Sequence, residues 1–227
     1  MLAYVFWHRP LDDGAVAAYE QAEIAFHRSL ARERPAGLRG TAVFRVAALP
    51  WLPIPPGGER GDAGARVGAA APAAPTGGVR HETAEQSAYE DWYLVEDFTA
   101  LGILNEAAVA HGHRTAHDDI ARRFGAGAGG LYGLIEGELG PGADAIGEAS
   151  IAVWVARTPG TARRGLGELL GDGMQPGHAS LWRRQLVFGP APEFCLLASE
   201  SPPGVAPTRL PAGWSARTLA REVLWHG

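Results

Sequence analysis

The chain has 227 residues, a formal net charge of −5 and a 46% apolar composition, enough to bury a substantial core. Its acidic balance offers no concentrated basic face of the kind that nucleic acid requires. The chain has no lysine and its formal positive charge is all arginine, so lysine Schiff-base catalysis and covalent pyridoxal phosphate are excluded, and the single Cys195 excludes an intrachain disulfide or a Cys-rich metal site.

In chain order, Leu2 to Trp7 reads as a first strand that ends at His8-Arg9-Pro10, where proline removes a backbone donor. Asp12-Asp13-Gly14 leads into a helix from about Ala15 to Glu33, with Val16, Tyr19, Phe26 and Leu30 as its apolar stripe. Gly40 to Leu49 is a second strand. Residues 52–86 are rich in Pro, Gly and Ala and poor in large apolar side chains. They cannot bury enough surface to offset the entropy of ordering and are expected to form a flexible insertion. Tyr89 to Val95 then forms a strand that passes through Glu96-Asp97 directly into a helix carrying Phe98, Leu101, Leu104 and Ala108. A further helix is expected over Ala116 to Phe124, with Thr115 and Asp118 as its capping pair. The glycines of 125–130 precede a strand in LYGLIEGEL. Ile151 to Arg157 is a strand, Ala162 to Leu170 a short helix, and Ser180 to Phe188 and Glu193 to Ser199 two more strands. A Pro-rich stretch over 201–213 and a tail from Trp214 to His226 follow.

The two halves echo each other. A strand ends in His8-Arg9-Pro10 and again in Arg157-Thr158-Pro159. Phe44-Arg45-Val46 is matched by Trp182-Arg183-Arg184, and Glu90 through Glu96 by Glu193 through Glu200. The order β-α-β-β-α-β is the ferredoxin-like unit. Two copies in one chain resemble the dimeric α+β barrel superfamily, the halves standing in for two subunits. This resemblance implies an α+β fold of two ferredoxin-like repeats forming a pseudo-dimeric barrel. The first spans 1–139 and the second 149–227, joined by a linker at 140–148. The second is incomplete, because Pro-rich sequence replaces its last helix. The superfamily includes cofactor-independent monooxygenases, isomerases and haem-handling enzymes, and membership implies a cavity beside the sheet.

Strand alternation sorts the candidate residues. Asp91 and Tyr93 share one face of their strand, with Trp92 and Leu94 on the other. The apolar pair is expected against the helices and the polar pair in the barrel. Arg183 in SLWRRQLVF is expected on that same barrel side, held by Glu90, Asp91 or Glu193 or by an anionic ligand. His8 joins from the end of the first strand. His8, Asp91, Tyr93 and Arg183 are therefore the candidate catalytic set for acid–base work. The cluster of His111, His113 and His117 reads as a polar surface loop, Glu23 and His27 as an i,i+4 pair on a helix surface, and Cys195 as a buried packing residue. No P-loop, GxSxG or HExxH motif occurs.

The expectation is a cytoplasmic small-molecule enzyme with no bound cofactor and no metal ligand set, doing acid–base or oxygenase-type chemistry in an aromatic-rich pocket. Its ligand is expected to be acidic or aromatic, with no nucleic acid or membrane partner, and the chain a monomer or homodimer. The alternatives are a non-catalytic binding domain, and a haem- or metal-binding enzyme with His117 or His27 as axial ligand. No apolar stretch approaches the roughly 20 residues that span a bilayer.

Overall fold

Alternating side chains build the first strand, β1 (Leu2–Pro10), which enters α1 (Val16–Arg32) through a 3-10 turn over Asp13–Ala15. The Asp12 carboxylate accepts from the Gly14 backbone N–H and caps that turn. α1 leads to β2 (Leu38–Val46) through Gly37, whose φ of 79° is glycine's own territory; a Cβ there would also lie 2.4 Å from that of Ala100. β3 (Ala88–Val95) runs into α2 (Phe98–Ala108), capped by Asp97 accepting from the Ala100 N–H. α3 (Arg114–Ala121), β4 (Phe124–Glu136) and a single turn, α4 (Asp144–Gly147), follow. β5 (Ile151–Arg157), β6 (Ala179–Arg184), β7 (Phe194–Ala198) and β8 (Trp214–His226) complete the set. The computed structural model describes residues 1–47, 49–52, 88–110, 112–137, 144–158, 160, 179–186, 192–198, 210 and 212–227.

All eight strands join in one closed antiparallel barrel in the order β1-β3-β2-β8-β5-β7-β6-β4. This corrects the expected α+β fold of two ferredoxin-like repeats. Among the described residues strand outweighs helix, α1, α2 and α3 all precede β4, and none from 149 onward is helical. The halves share an order of strands (β4-β1-β3-β2, then β8-β5-β7-β6), and among the described residues the helical layer belongs to the first. Closure has a direct physical cause: β2 finds its missing partner in β8 and β4 finds its own in β6, so no backbone edge stays unpaired.

Several local expectations also change. The tail is β8, a 13-residue strand that completes the ring. The third helix begins earlier than expected, which places Thr115 inside it, and its N-cap residue His113 makes no side-chain capping bond. Phe124 and the following glycines already belong to β4. The expected insertion beyond residue 52, the helix at 162–170 and most of the Pro-rich stretch lie outside the described residues. Among the described residues, no helix is long and apolar enough to cross a membrane.

One core cluster draws on all eight strands and therefore fills the lumen. Trp7, Trp92, Trp154, Trp182, Tyr132 and Phe44 are its largest members, each at most 1% exposed. Fully burying an indole removes about 200 Å² from water, on the order of 5 kcal/mol before entropy is subtracted, so the closed lumen is the strongest attractor for these rings. Their edges meet, with Trp7 and Trp154 centroids 5.0 Å apart and Trp92 and Trp182 5.5 Å apart. The expectation that Trp92 and Leu94 face the helices is thus reversed.

Glu90 stands among these rings with no exposed surface. Its carboxylate accepts from the indole N–H groups of Trp7 (3.0 Å), Trp92 (2.7 Å) and Trp154 (3.0 Å), and Arg221 Nε lies 3.2 Å away. Arg221 donates from Nη1 to the carbonyls of Ala149 (2.9 Å) and Ile146 (3.4 Å), and its guanidinium sits 3.4 Å over the Phe44 ring. Burial lowers the Arg221 pKa and Glu90 opposes that fall. Cys195 lies in the same lumen, where burial and then the Glu90 charge push its thiol well above the usual range.

Two outcomes are expected. Glu90→Gln strips Arg221 of its counter-charge and lowers stability by about 3 kcal/mol or more, read from urea unfolding by tryptophan fluorescence. A loss below about 1 kcal/mol would show that the pair is dispensable. Cys195 should resist iodoacetamide in the folded protein and react once urea unfolds it; labelling at equal rates in both states contradicts its placement.

Candidate functional site

The lumen packing decides what lies outside. With Ala3, Val5 and Trp7 turned inward on β1, alternation sends Tyr4, Phe6 and His8 to the outer face. With Glu90 and Trp92 inward on β3, Tyr89, Asp91 and Tyr93 point outward beside them. Register pairs Phe6 with Asp91, Tyr4 with Tyr93 and His8 with Tyr89. α1 crosses this face and presents Tyr19, Glu23 and His27, each four residues from the next and all buried.

These three elements bring together a closed polar cluster. His8 Nδ1 lies 2.5 Å from the Tyr19 hydroxyl and 3.6 Å from Glu23 Oε1, while His8 Nε2 lies 3.1 Å from Asp91 Oδ1. The other Asp91 oxygen, Oδ2, accepts from the Tyr93 hydroxyl at 3.2 Å and lies 3.5 Å from His27 Nε2. His27 stacks on Tyr93 with centroids 5.0 Å apart. His8, Glu23, His27 and Asp91 are none of them more than 4% exposed.

Burial by itself would lower the His8 pKa, but the Asp91 and Glu23 carboxylates outweigh it and hold the imidazole above its ordinary value. For Asp91, burial would raise the carboxyl, and the two imidazoles more than reverse this, holding it well below the usual range. Glu23 is pushed up to about 8, first by burial and then by the Asp91 charge. Burial, reinforced by these carboxylates, raises the phenols of Tyr19 and Tyr93. Asp91 is therefore the carboxyl held toward its ionised form, Glu23 the one held toward its protonated form, and His8 an imidazole held toward its cationic form.

A cavity of about 620 Å³ opens onto this cluster. Glu23, Asp91 and Tyr93 reach it from the polar side, and α2, α3 and β4 enclose it with Phe98, Leu101, Leu104, Ile120 and Phe124. The glycines of β4 serve this wall. A Cβ at Gly127 would stand 2.7 Å from the Phe6 ring, and one at Gly129 would stand 2.5 Å from the Tyr4 hydroxyl. The glycine run thus lets two aromatic rings lie flat against the neighbouring strand.

Of the four expected catalytic residues, His8, Asp91 and Tyr93 meet here, although on the helix-covered face and not inside the barrel. Arg183 is elsewhere: half-buried on β6, opposite Gly133 and Phe194, it does not line the cavity. The carboxylates expected to hold it have other partners, Glu90 with Arg221, Asp91 with His8 and Glu193 with Arg157. Glu23 and His27 belong to the site and not to a helix surface. Their signal was present, since Glu23 sits four residues after Tyr19 and three before Phe26, within the apolar stripe itself. His111 lies outside the described residues, His113 is buried with its ring nitrogen 3.0 Å from the Ser29 hydroxyl, and His117 lines the cavity against Phe26.

These charge states carry a pH dependence. Asp91, lowered in the folded protein, adds stability that is present above its ordinary 3.8 and lost as pH falls through the folded value. His8 and Glu23, both raised, add stability that is full below their ordinary 6.5 and 4.5 and is lost as pH rises through the folded values, about 8 for Glu23. Urea midpoints should peak slightly above pH 4 and decline through pH 8, and Glu23→Gln should flatten that decline. A wild-type profile that is level over this range would contradict the assigned states. No family model matches this chain, and no match is found among curated proteins.

Proposed function

We propose that the protein is a small-molecule enzyme that moves protons on a largely apolar, aromatic ligand held in the cavity between the barrel and α1, α2 and α3. The observation that carries this reading is an apolar enclosure that two carboxyl groups, Glu23 and Asp91, both face, their surroundings pushing the first up and the second down. Pairs of titratable groups pushed apart by their surroundings are how one site supplies an acid and a base together. Asp91 is placed to take a proton from an acidic C–H or O–H of the ligand. Glu23 is placed to give one to an oxygen or carbon of the same molecule, and His8 to share the resulting charge. The net change is a tautomerisation or double-bond shift that leaves the proton on Asp91 and the charge on Glu23, and His8, with Nε2 3.1 Å from Asp91 and Nδ1 3.6 Å from Glu23, is placed to relay the proton back. The carboxylate-bearing floor, with no arginine among the lining residues, favours a neutral ligand over an anionic one.

β-Tetralone, a neutral aromatic ketone with acidic C–H bonds, is a suitable probe. The protein in deuterium oxide should speed deuterium uptake at the enolisable carbon. Asp91→Asn or Glu23→Gln should cut that rate by roughly 10²-fold or more, with circular dichroism confirming the fold. Binding seen by ligand-detected NMR without any exchange would instead favour a non-catalytic binding protein.

A further inference from the structure

We infer that His8, Glu23 and Asp91 form a binding site for one divalent first-row transition-metal ion at the floor of the cavity. One ligand atom from each residue can be chosen so that all lie within 4.8 Å of one another, and all three side chains are buried. Ligand atoms about 2.1 Å from a shared ion stand roughly 3 to 4 Å apart, and His8 Nε2 and Asp91 Oδ1 are separated by 3.1 Å.

The hydrogen bonds around the triad support it independently. His8 has one nitrogen engaged, because Nδ1 meets the Tyr19 hydroxyl, and its Nε2 is turned toward Asp91. That approach lacks hydrogen-bond alignment, so Nε2 and Asp91 Oδ1 are both fully buried polar atoms without a hydrogen-bond partner. Asp91 Oδ2, by contrast, is occupied by Tyr93 and approached by His27. Each of the two residues therefore has one atom fixed by a neighbour and one left to face the other. Metal-bound imidazoles and carboxylates are held by their outer partners in this manner. Metal binding would expel the protons of Glu23 and His8, and the two carboxylates and neutral imidazole that result sum to a charge that a divalent cation cancels within a dry pocket. One imidazole with carboxylates suits manganese, iron or zinc, and the cavity side leaves positions open to a ligand. β1, α1 and β3 each supply one residue, so the geometry is set by regular elements.

The site does not depend on the proton-transfer reading, because it is measured without any organic ligand. The full chain, stripped with a chelator, is titrated with Mn²⁺, Co²⁺ and Zn²⁺ and the bound metal counted after dialysis, with Co²⁺ absorption reporting imidazole coordination. One ion per chain is expected. Tyr19→Phe, which removes a hydroxyl that supports His8 and Glu23 but no ligand atom, should weaken it roughly 10–100-fold; Asp91→Asn should abolish it, and His113→Gln should leave it unchanged. Bound metal well below one ion per chain, binding that survives Asp91→Asn, or equal losses in Tyr19→Phe and His113→Gln would each overturn the assignment. So would ¹⁵N NMR showing His8 still doubly protonated at saturating metal. A failed exchange assay with β-tetralone would leave the metal site standing.

Discussion

Most of this structure follows from where one carboxylate is buried. Glu90 projects into the lumen and collects indole N–H groups from β1, β3 and β5 together with the arginine of β8. An unpaired charge there would be untenable, so the four strands are held in a single register around it. Because β3 alternates, fixing Glu90 and Trp92 inward leaves Asp91 and Tyr93 no choice but the outer face. β1 obeys the same rule through Trp7, and His8 emerges beside Asp91. The candidate site is therefore the reverse side of the lumen's ion pair. A register slip of one residue would exchange the two networks and put an imidazole–carboxylate cluster among the indoles.

The two sides use low dielectric differently. In the lumen, Glu90 and Arg221 are enclosed by aromatic edges and neighbouring carbonyls, and neither lines the cavity of the candidate site. Outside, α1 buries three polar side chains over the sheet, and the apolar residues of α2 and α3 form a roof that keeps the carboxyl groups poorly solvated while leaving them reachable. Polar groups so enclosed interact strongly and titrate far from their solution behaviour.

Much of the first half was legible in the chain itself. The strand at Leu2, the long first helix, and the passage from Tyr89 through Asp97 into Phe98 all announce themselves by period and by capping chemistry. What failed was the choice of faces. Every residue of β3 is buried, so alternation shows that Asp91 and Trp92 lie on opposite sides without saying which side is the closed lumen. The larger rings, Trp7, Trp92, Trp154 and Trp182, fill the barrel and not the helix-covered face. β8 was illegible for a related reason. Its run of Arg217, Arg221 and Glu222 reads as solvated sequence, yet Arg221 is an inward residue whose partner, Glu90, lies on β3. Glu23 and His27 carry the mark of a surface pair, and only their place within the stripe of Tyr19, Phe26 and Leu30 betrays them.

The seam between β2 and β8 has a kinetic meaning. It joins Ala42 to His226 and Val46 to Arg221, strands from opposite ends of the element order. Such pairings come late in folding, since a long loop must be closed before any contact repays it. Until β8 docks, β2 is a bare edge and Glu90 has no guanidinium beside it. A β8 supplied by a neighbouring copy would satisfy both needs as well as the chain's own, which makes strand exchange through this seam the characteristic misassembly of the fold.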